Sequence, residues 1–174
     1  MVHHINRFDN GFLDDEISRV FAMYNKHNMG NPDLFTNVFE AISFDDIIKE
    51  GKILEEKNVA YVKKIIKTGV KYCLEVRNTP TNIFEVVIDD EFLPMGIADE
   101  FYKDKSNKNY VVVTIFYPKT GGTKFSFRSI ENDVGTNAVD LATSIGGGGH
   151  KHSSACFHKE GVLKSFADKL LNRY

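Results

Sequence analysis

The hydrophobic positions of this chain change their period partway along its length. Over residues 13–27, Ile17, Val20, Phe21 and Tyr24 recur at helical spacing behind Asp14, Asp15 and Glu16. Acids suit that place because aligned peptide dipoles leave partial positive charge at a helix N-terminus. Asn31, Pro32 and Asp33 then supply a cap, a first-turn proline and an acid, predicting a short helix to residue 41. Ser43 and Asp46 have capping-box spacing and predict a long helix that runs to Val76. Its stripe is Ile47, Leu54, Tyr61, Ile65, Tyr72 and Val76, with Ile48, Val62, Ile66 and Cys73 beside it. Such a stripe faces a core or a partner helix far more often than a cofactor.

After Arg77-Asn78-Thr79-Pro80 the pattern is that of strands. Residues 83–88 read as one strand, and the nearly unbroken apolar run over 110–117 as a buried one. Residues 123–129 alternate, with Phe125 and Phe127 on one face and Lys124, Ser126 and Arg128 on the other. Pro118 to Gly122 marks a hairpin turn. Helices are expected over 96–104, 137–144 and 162–172, and a last strand over 154–157. The fold class is therefore α/β: a helical N-terminal half with a long linker helix, then a small mixed β-sheet domain flanked by helices. The expected division is residues 1–76 and 77–174.

Composition narrows the function. The chain has 174 residues, enough for one medium domain with a helical extension. Its 42% hydrophobic content and 14 Phe supply a packed core, so the signature of disorder is absent. A net charge of −2 gives no overall basic field, so any anion site must be local. Cys73 and Cys156 form no CxxC pair and read as reduced thiols, which places the protein in the cytoplasm. No apolar run reaches the roughly 18 residues of a membrane span. The first residues lack a charged region followed by an apolar stretch, so no secretory signal is expected.

The candidate chemistry lies in Ile145-Gly146-Gly147-Gly148-Gly149-His150-Lys151. Glycines let a backbone turn sharply and touch a ligand, and exposed N–H groups can line an anion-binding concavity. His150 and Lys151 add a titratable donor and a fixed charge. Arg128, at the end of a strand, offers a planar fork suited to phosphate oxygens. The blander alternatives are a flexible glycine connector and a solvated arginine. A P-loop is excluded, because His150 separates Gly149 from Lys151 and Ser153 is displaced. Zinc is a weaker alternative: His150, His152, Cys156 and His158 are suitable ligand types, but their spacing matches no standard structural site. His3 and His4 read as exposed or tag-like, and Asp45, Asp46, Asp89 and Asp90 as caps or solvated charges.

These residues carry a resemblance. Ser126-Phe127-Arg128-Ser129, a helix containing Asp140-Leu141-Ala142, then Gly146 to Lys151 and the small residues Ser153, Ser154 and Ala155 resemble the DHH-associated C-terminal domain of DHH phosphoesterases. That family includes single-strand exonucleases, oligoribonucleases and cyclic-dinucleotide phosphodiesterases. Ile5-Asn6-Arg7-Phe8-Asp9 and Glu50-Gly51 resemble segments near its catalytic domain and linker. A related domain also occurs in alanyl-tRNA synthetases, which leaves transfer RNA contact as an alternative.

The resemblance implies that Arg128, Ser129, Gly147, Gly148, Gly149 and His150 hold a substrate phosphate, with Lys151 as an additional contact. The substrate would be a nucleotide or a short single-stranded nucleic acid. The family's metal centre, manganese or magnesium, belongs to a catalytic domain rich in Asp and His. This chain has no Asp-His-His and no Asp-x-Asp. No cofactor, metal site or catalytic residue is therefore expected in it. It reads as the C-terminal part of a phosphodiesterase, a truncated product or one half of a split gene, binding without cleaving. Ala155 stands where the family has glycine, and Cys156 where an aromatic is common. The expected partner is a DHH catalytic domain in cis or in trans. Two other readings stay open: an intact metal-dependent hydrolase with an unrecognised site, and a regulatory or assembly partner that forms a homodimer through the long helix.

Overall fold

The computed structural model describes residues 44–90, 93–131, 137–159 and 161–171, together with Ile17, Val20, Met23, Tyr24 and His27. The helix expected over 31–41, the Ser43 cap, His3, His4 and residues 5–9 lie outside the described residues. The chain divides into two compact units, Met1–Tyr61 and Val62–Tyr174. The division falls inside the long helix, upstream of the 76/77 boundary expected from the pattern change.

In the first unit Ile17, Val20, Met23, Tyr24 and His27 are helical, as expected. Val20, Tyr24 and Ile47 are buried. Gly51 sits in the middle of a helix because a Cβ there would collide with the Val20 carbonyl oxygen. That helix, α1, is Phe44–Ile66, with Asp45 and Asp46 in its first turn and Lys63 and Lys64 in its last, as the dipole favours.

The expectation that α1 runs on to Val76 is wrong. It is closed at Ile66 by Thr68, whose N–H and hydroxyl both donate to the Ile65 carbonyl at 2.9 and 2.7 Å. Gly69 follows, where a side chain would strike the Phe84 ring. The next residues form strand β1, Val70–Val76. Tyr72 and Val76 misled because a spacing of four satisfies both the helical and the strand period. Sheet pairing decides between them.

β1 pairs antiparallel with β2, Thr79–Ile88, through a two-residue turn in which Arg77 and Asn78 have φ of 51° and 63°. Two left-handed residues in succession match the twist of a tight hairpin. Helix α2, Pro94–Phe101, carries the chain over to β3, Tyr110–Phe116, which lies parallel to β2. Then follow β4, Thr123–Arg128; α3, Ala138–Ser144; β5, Gly148–His150; β6, Ser153–His158; and α4, Phe166–Leu171. The sheet order is β1-β2-β3-β4-β6-β5, with every pair but β2/β3 antiparallel.

Each face of the sheet holds its own core. Phe125 and Phe127 pack with Leu141, Ile145 and Phe166, so α3 and α4 cover that face. Phe166 meets the other two rings edge-on, with centroids 6.5 and 5.5 Å away. On the opposite face, Phe84, Val86, Ile88 and Val112 pack against Ile97 and Phe101 of α2 and Val62 of α1. Phe84 and Phe101 stack with centroids 4.1 Å apart.

Candidate functional site

Strand register assembles the candidate residues. Arg128 pairs with Val112 on one side and Ser153 on the other, and Ser153 pairs in turn with His150. Directly opposed residues point to the same face of a sheet, so Arg128 and His150 share the face that carries α2. The next row on that face is Thr114, Ser126, Ala155 and Gly148, and the one after it is Phe116, Lys124 and Phe157.

The glycine run is not a loop. Its second half is the edge strand β5, joined to β6 by a turn at Lys151 and His152. Gly146 ends α3 at φ 85°, after which the Gly147 N–H donates to the Ala142 carbonyl at 2.7 Å. A Cβ on Gly147 would collide with the Ala155 carbonyl oxygen. Gly149 has φ 146°, and a Cβ there would lie 2.6 Å from Ser154 Cα. Gly148 alone of the last three faces open space. The fold thus demands glycine at 146, 147 and 149, and only position 148 leaves room for something else.

Arg128 is half-buried, and its Nη1 donates to the Phe127 carbonyl at 3.0 Å. Burial pulls its pKa down, opposed by the negative charge of Asp99 on α2. Burial raises the carboxyl of Asp99, against the pull of Lys103 and Arg128. Sequence reading missed Asp99 because nothing in a local pattern connects α2 to β4. Tyr102 was missed for the same reason: its hydroxyl lies 2.8 Å from the Tyr110 carbonyl and 3.0 Å from that of Arg128, fixing the end of β4.

Ser129 is buried, and its hydroxyl has internal partners. It accepts from the Ala138 N–H at 3.1 Å and bonds His152 Nδ1 at 3.1 Å. Its own N–H donates to the His152 carbonyl at 3.2 Å. Asn137 and Asp140 close a capping box at the start of α3, a signal the sequence held as Asn-x-x-Asp. Ser154 Oγ donates to the Ala138 carbonyl at 2.6 Å. These bonds tie the β5–β6 turn, the end of β4 and α3 together. His150 is exposed, as is Lys151, whose Nζ lies 4.0 Å from Glu131; a pair so exposed contributes little.

The four zinc-type residues of the C-terminal segment are not brought together on one face. Cys156 Sγ donates to the Ile145 carbonyl at 3.5 Å, His158 Nδ1 lies 2.9 Å from Lys169 Nζ, and His152 is held by Ser129. Cys156 lies on the opposite sheet face from the Arg128 row, because β6 alternates. Among the described residues no three His, Cys, Asp or Glu are grouped so as to hold a metal ion. No described helix is long and apolar enough to cross a membrane.

No family model and no curated protein matches this sequence. Solved structures do. The DHH domain of a member of the s1p family of ribosomal proteins is similar with a TM-score of 0.53 and 14% identity, over 90% of this chain and 40% of that one. PggH, a pGpG-specific phosphodiesterase from Vibrio cholerae, is similar with a TM-score of 0.48 and 16% identity, over 83% of this chain and 51% of that one. The chain spans about half, or less, of the length of these structures. At such identity the likeness shows the fold, and the fold is DHH-associated.

Proposed function

We propose that the sheet domain is the substrate-gripping part of a DHH-type phosphodiesterase, holding the phosphate of a nucleotide or of a short single-stranded nucleic acid. The observation that carries this reading is the cross-strand row Arg128–Ser153–His150 beside the open Gly148. Arg128 offers a charge-assisted, two-pronged contact to phosphate oxygens. Its partial burial keeps water from screening that contact. The outer side of an edge strand has N–H groups without a strand partner, and Gly148 lets an oxyanion approach them. Ser129 serves the site indirectly, by holding His152 and the turn that carries His150. Lys151 adds long-range attraction.

The metal centre of the family needs several carboxylates or imidazoles around ions about 3.5–4 Å apart. The described residues do not supply that set. Cleavage belongs to a DHH catalytic domain in cis or in trans. Calorimetry with adenosine 5′-monophosphate tests the binding role. Arg128→Ala and His150→Ala should each weaken binding by roughly tenfold, and added salt should weaken it further. Affinity indifferent to both would sink the reading.

A further inference from the structure

We infer that the open edge of β1 pairs with β1 of a second copy of this chain, antiparallel about Cys73, so that two sheets join into one. The inference stands apart from the phosphate-binding reading. β1 ends the sheet order and has β2 on one side alone. The β1–β2 turn closes on the Val76–Thr79 pair, and the hydrogen bond of such a turn runs between those two residues. Hydrogen-bonded pairs alternate along an antiparallel ladder, so Val70, Tyr72, Leu74 and Val76 direct their peptide groups at β2. Lys71, Cys73 and Glu75 direct theirs outward. Among the described residues no backbone bond from outside the sheet reaches these three. An edge of that kind is a template for another strand.

The residues of that edge select the strand that fits it. Val70-Lys71-Tyr72-Cys73-Leu74-Glu75-Val76 is complementary to itself about its centre. Antiparallel pairing centred on Cys73 sets Lys71 against Glu75, Tyr72 against Leu74 and Val70 against Val76, each of them twice. The outward peptide groups also allow symmetric registers centred on Lys71 or on Glu75. These oppose Lys71 to Lys71 or Glu75 to Glu75, and like charges directly opposite are destabilising. The central register alone pairs opposite charges, as a two-fold contact between identical patches requires. The strand is also accessible: Lys71, Cys73 and Glu75 are exposed, and Val70 is 60% exposed. Lys71 Nζ lies 5.3 Å from the Phe101 ring centre and 4.9 Å from that of Tyr110. Its amine donates to Asn107 Oδ1 at 2.7 Å, which leaves two N–H donors for a carboxylate. Lys71 and Glu75 therefore meet on the α2 face, and the α2 faces of both copies open on the same side.

Analytical ultracentrifugation of the full chain tests the pairing. The parent should show a monomer–dimer equilibrium in the micromolar range. Glu75→Lys turns both symmetry-related charge pairs repulsive and should weaken dimerisation at least about tenfold. Lys71→Glu should do the same. Mixing the two variants should restore a dimer, because each supplies the charges the other lacks. A short bismaleimide should join two parent copies through Cys73, since directly opposed Cα atoms in such a pair lie about 5.5 Å apart. Cys156 is buried, so Cys73→Ser should abolish the cross-linked product, and Glu75→Lys should reduce it in step with the dimer. A parent that stays monomeric, a dimer as tight in Glu75→Lys as in the parent, or a mixture without heterodimer overturns the proposal. Should Lys71→Glu fail to fold, sedimentation and cross-linking of Glu75→Lys decide it alone.

Discussion

At the scale of single residues, placement in the fold decides what each group does. Ser129, expected to touch phosphate, also accepts from the Ala138 N–H and bonds His152 Nδ1. Ser129→Ala leaves the buried Ala138 N–H without an acceptor and should cost about 1–3 kcal/mol in urea unfolding. Glu85 is the clearest titrating case. Its carboxylate accepts from the Tyr72 hydroxyl and from the Phe166 N–H, both at 2.7 Å. Burial raises its pKa, the two hydrogen bonds oppose the rise, and Asp168 adds to it. A folded value above the unfolded one favours the protonated form in the native state. The stability this contributes is full below the ordinary carboxyl value of 4.5 and is lost as pH rises through the raised one. Thermal unfolding measured upward from about pH 4.5 should show that decline, and Glu85→Gln should flatten it. An unchanged slope in the variant would show that Glu85 is not the source.

At the scale of elements, two adjacent glycines differ in what surrounds them. Gly149→Ala puts a Cβ against Ser154 at a backbone angle that side chains rarely adopt. It should lose about 2 kcal/mol or more in stability. Gly148→Ala meets open space, should stay within about 0.5 kcal/mol of the parent, and should still weaken nucleotide binding. Similar losses of stability in both variants would contradict this assignment. The β1–β2 turn offers a gain instead. Replacing Arg77-Asn78 by Asn-Gly should raise stability by up to about 1 kcal/mol, at the expense of the exposed Arg77 contacts to Thr143 and Asp140.

Most elements were legible in the sequence because their period was unambiguous. The strands over Tyr110–Phe116 and Thr123–Arg128 carry apolar patterns that fit no helix of that length. β1 was hidden because Tyr72 and Val76 fit two periods at once. β5 was hidden because Gly147 and Gly149 answer to packing against β6, which no local pattern records. Of the candidate site, the residue types were readable and their partners were not. The link between Asp99 and Arg128 exists only through the docking of α2 on β4.

At the scale of the whole molecule, the two faces of the sheet differ in what covers them. One sheet face is sealed by α3 and α4, while the other carries α2 and, beyond it, the Arg128, Ser126 and Lys124 rows. On the proposed reading, this domain grips a ligand for chemistry performed elsewhere. The purified chain should show no manganese-dependent hydrolysis of a short oligonucleotide, and turnover by a nuclease-free preparation would contradict that assignment. The most direct test of the gripping role is an NMR titration of the labelled chain with adenosine 5′-monophosphate. Amide signals of Gly148, Gly149 and His150 and the Arg128 side chain should shift together and saturate, while those of α4 stay still. Saturable shifts elsewhere with these four unmoved would place the ligand somewhere other than the Arg128–His150 row.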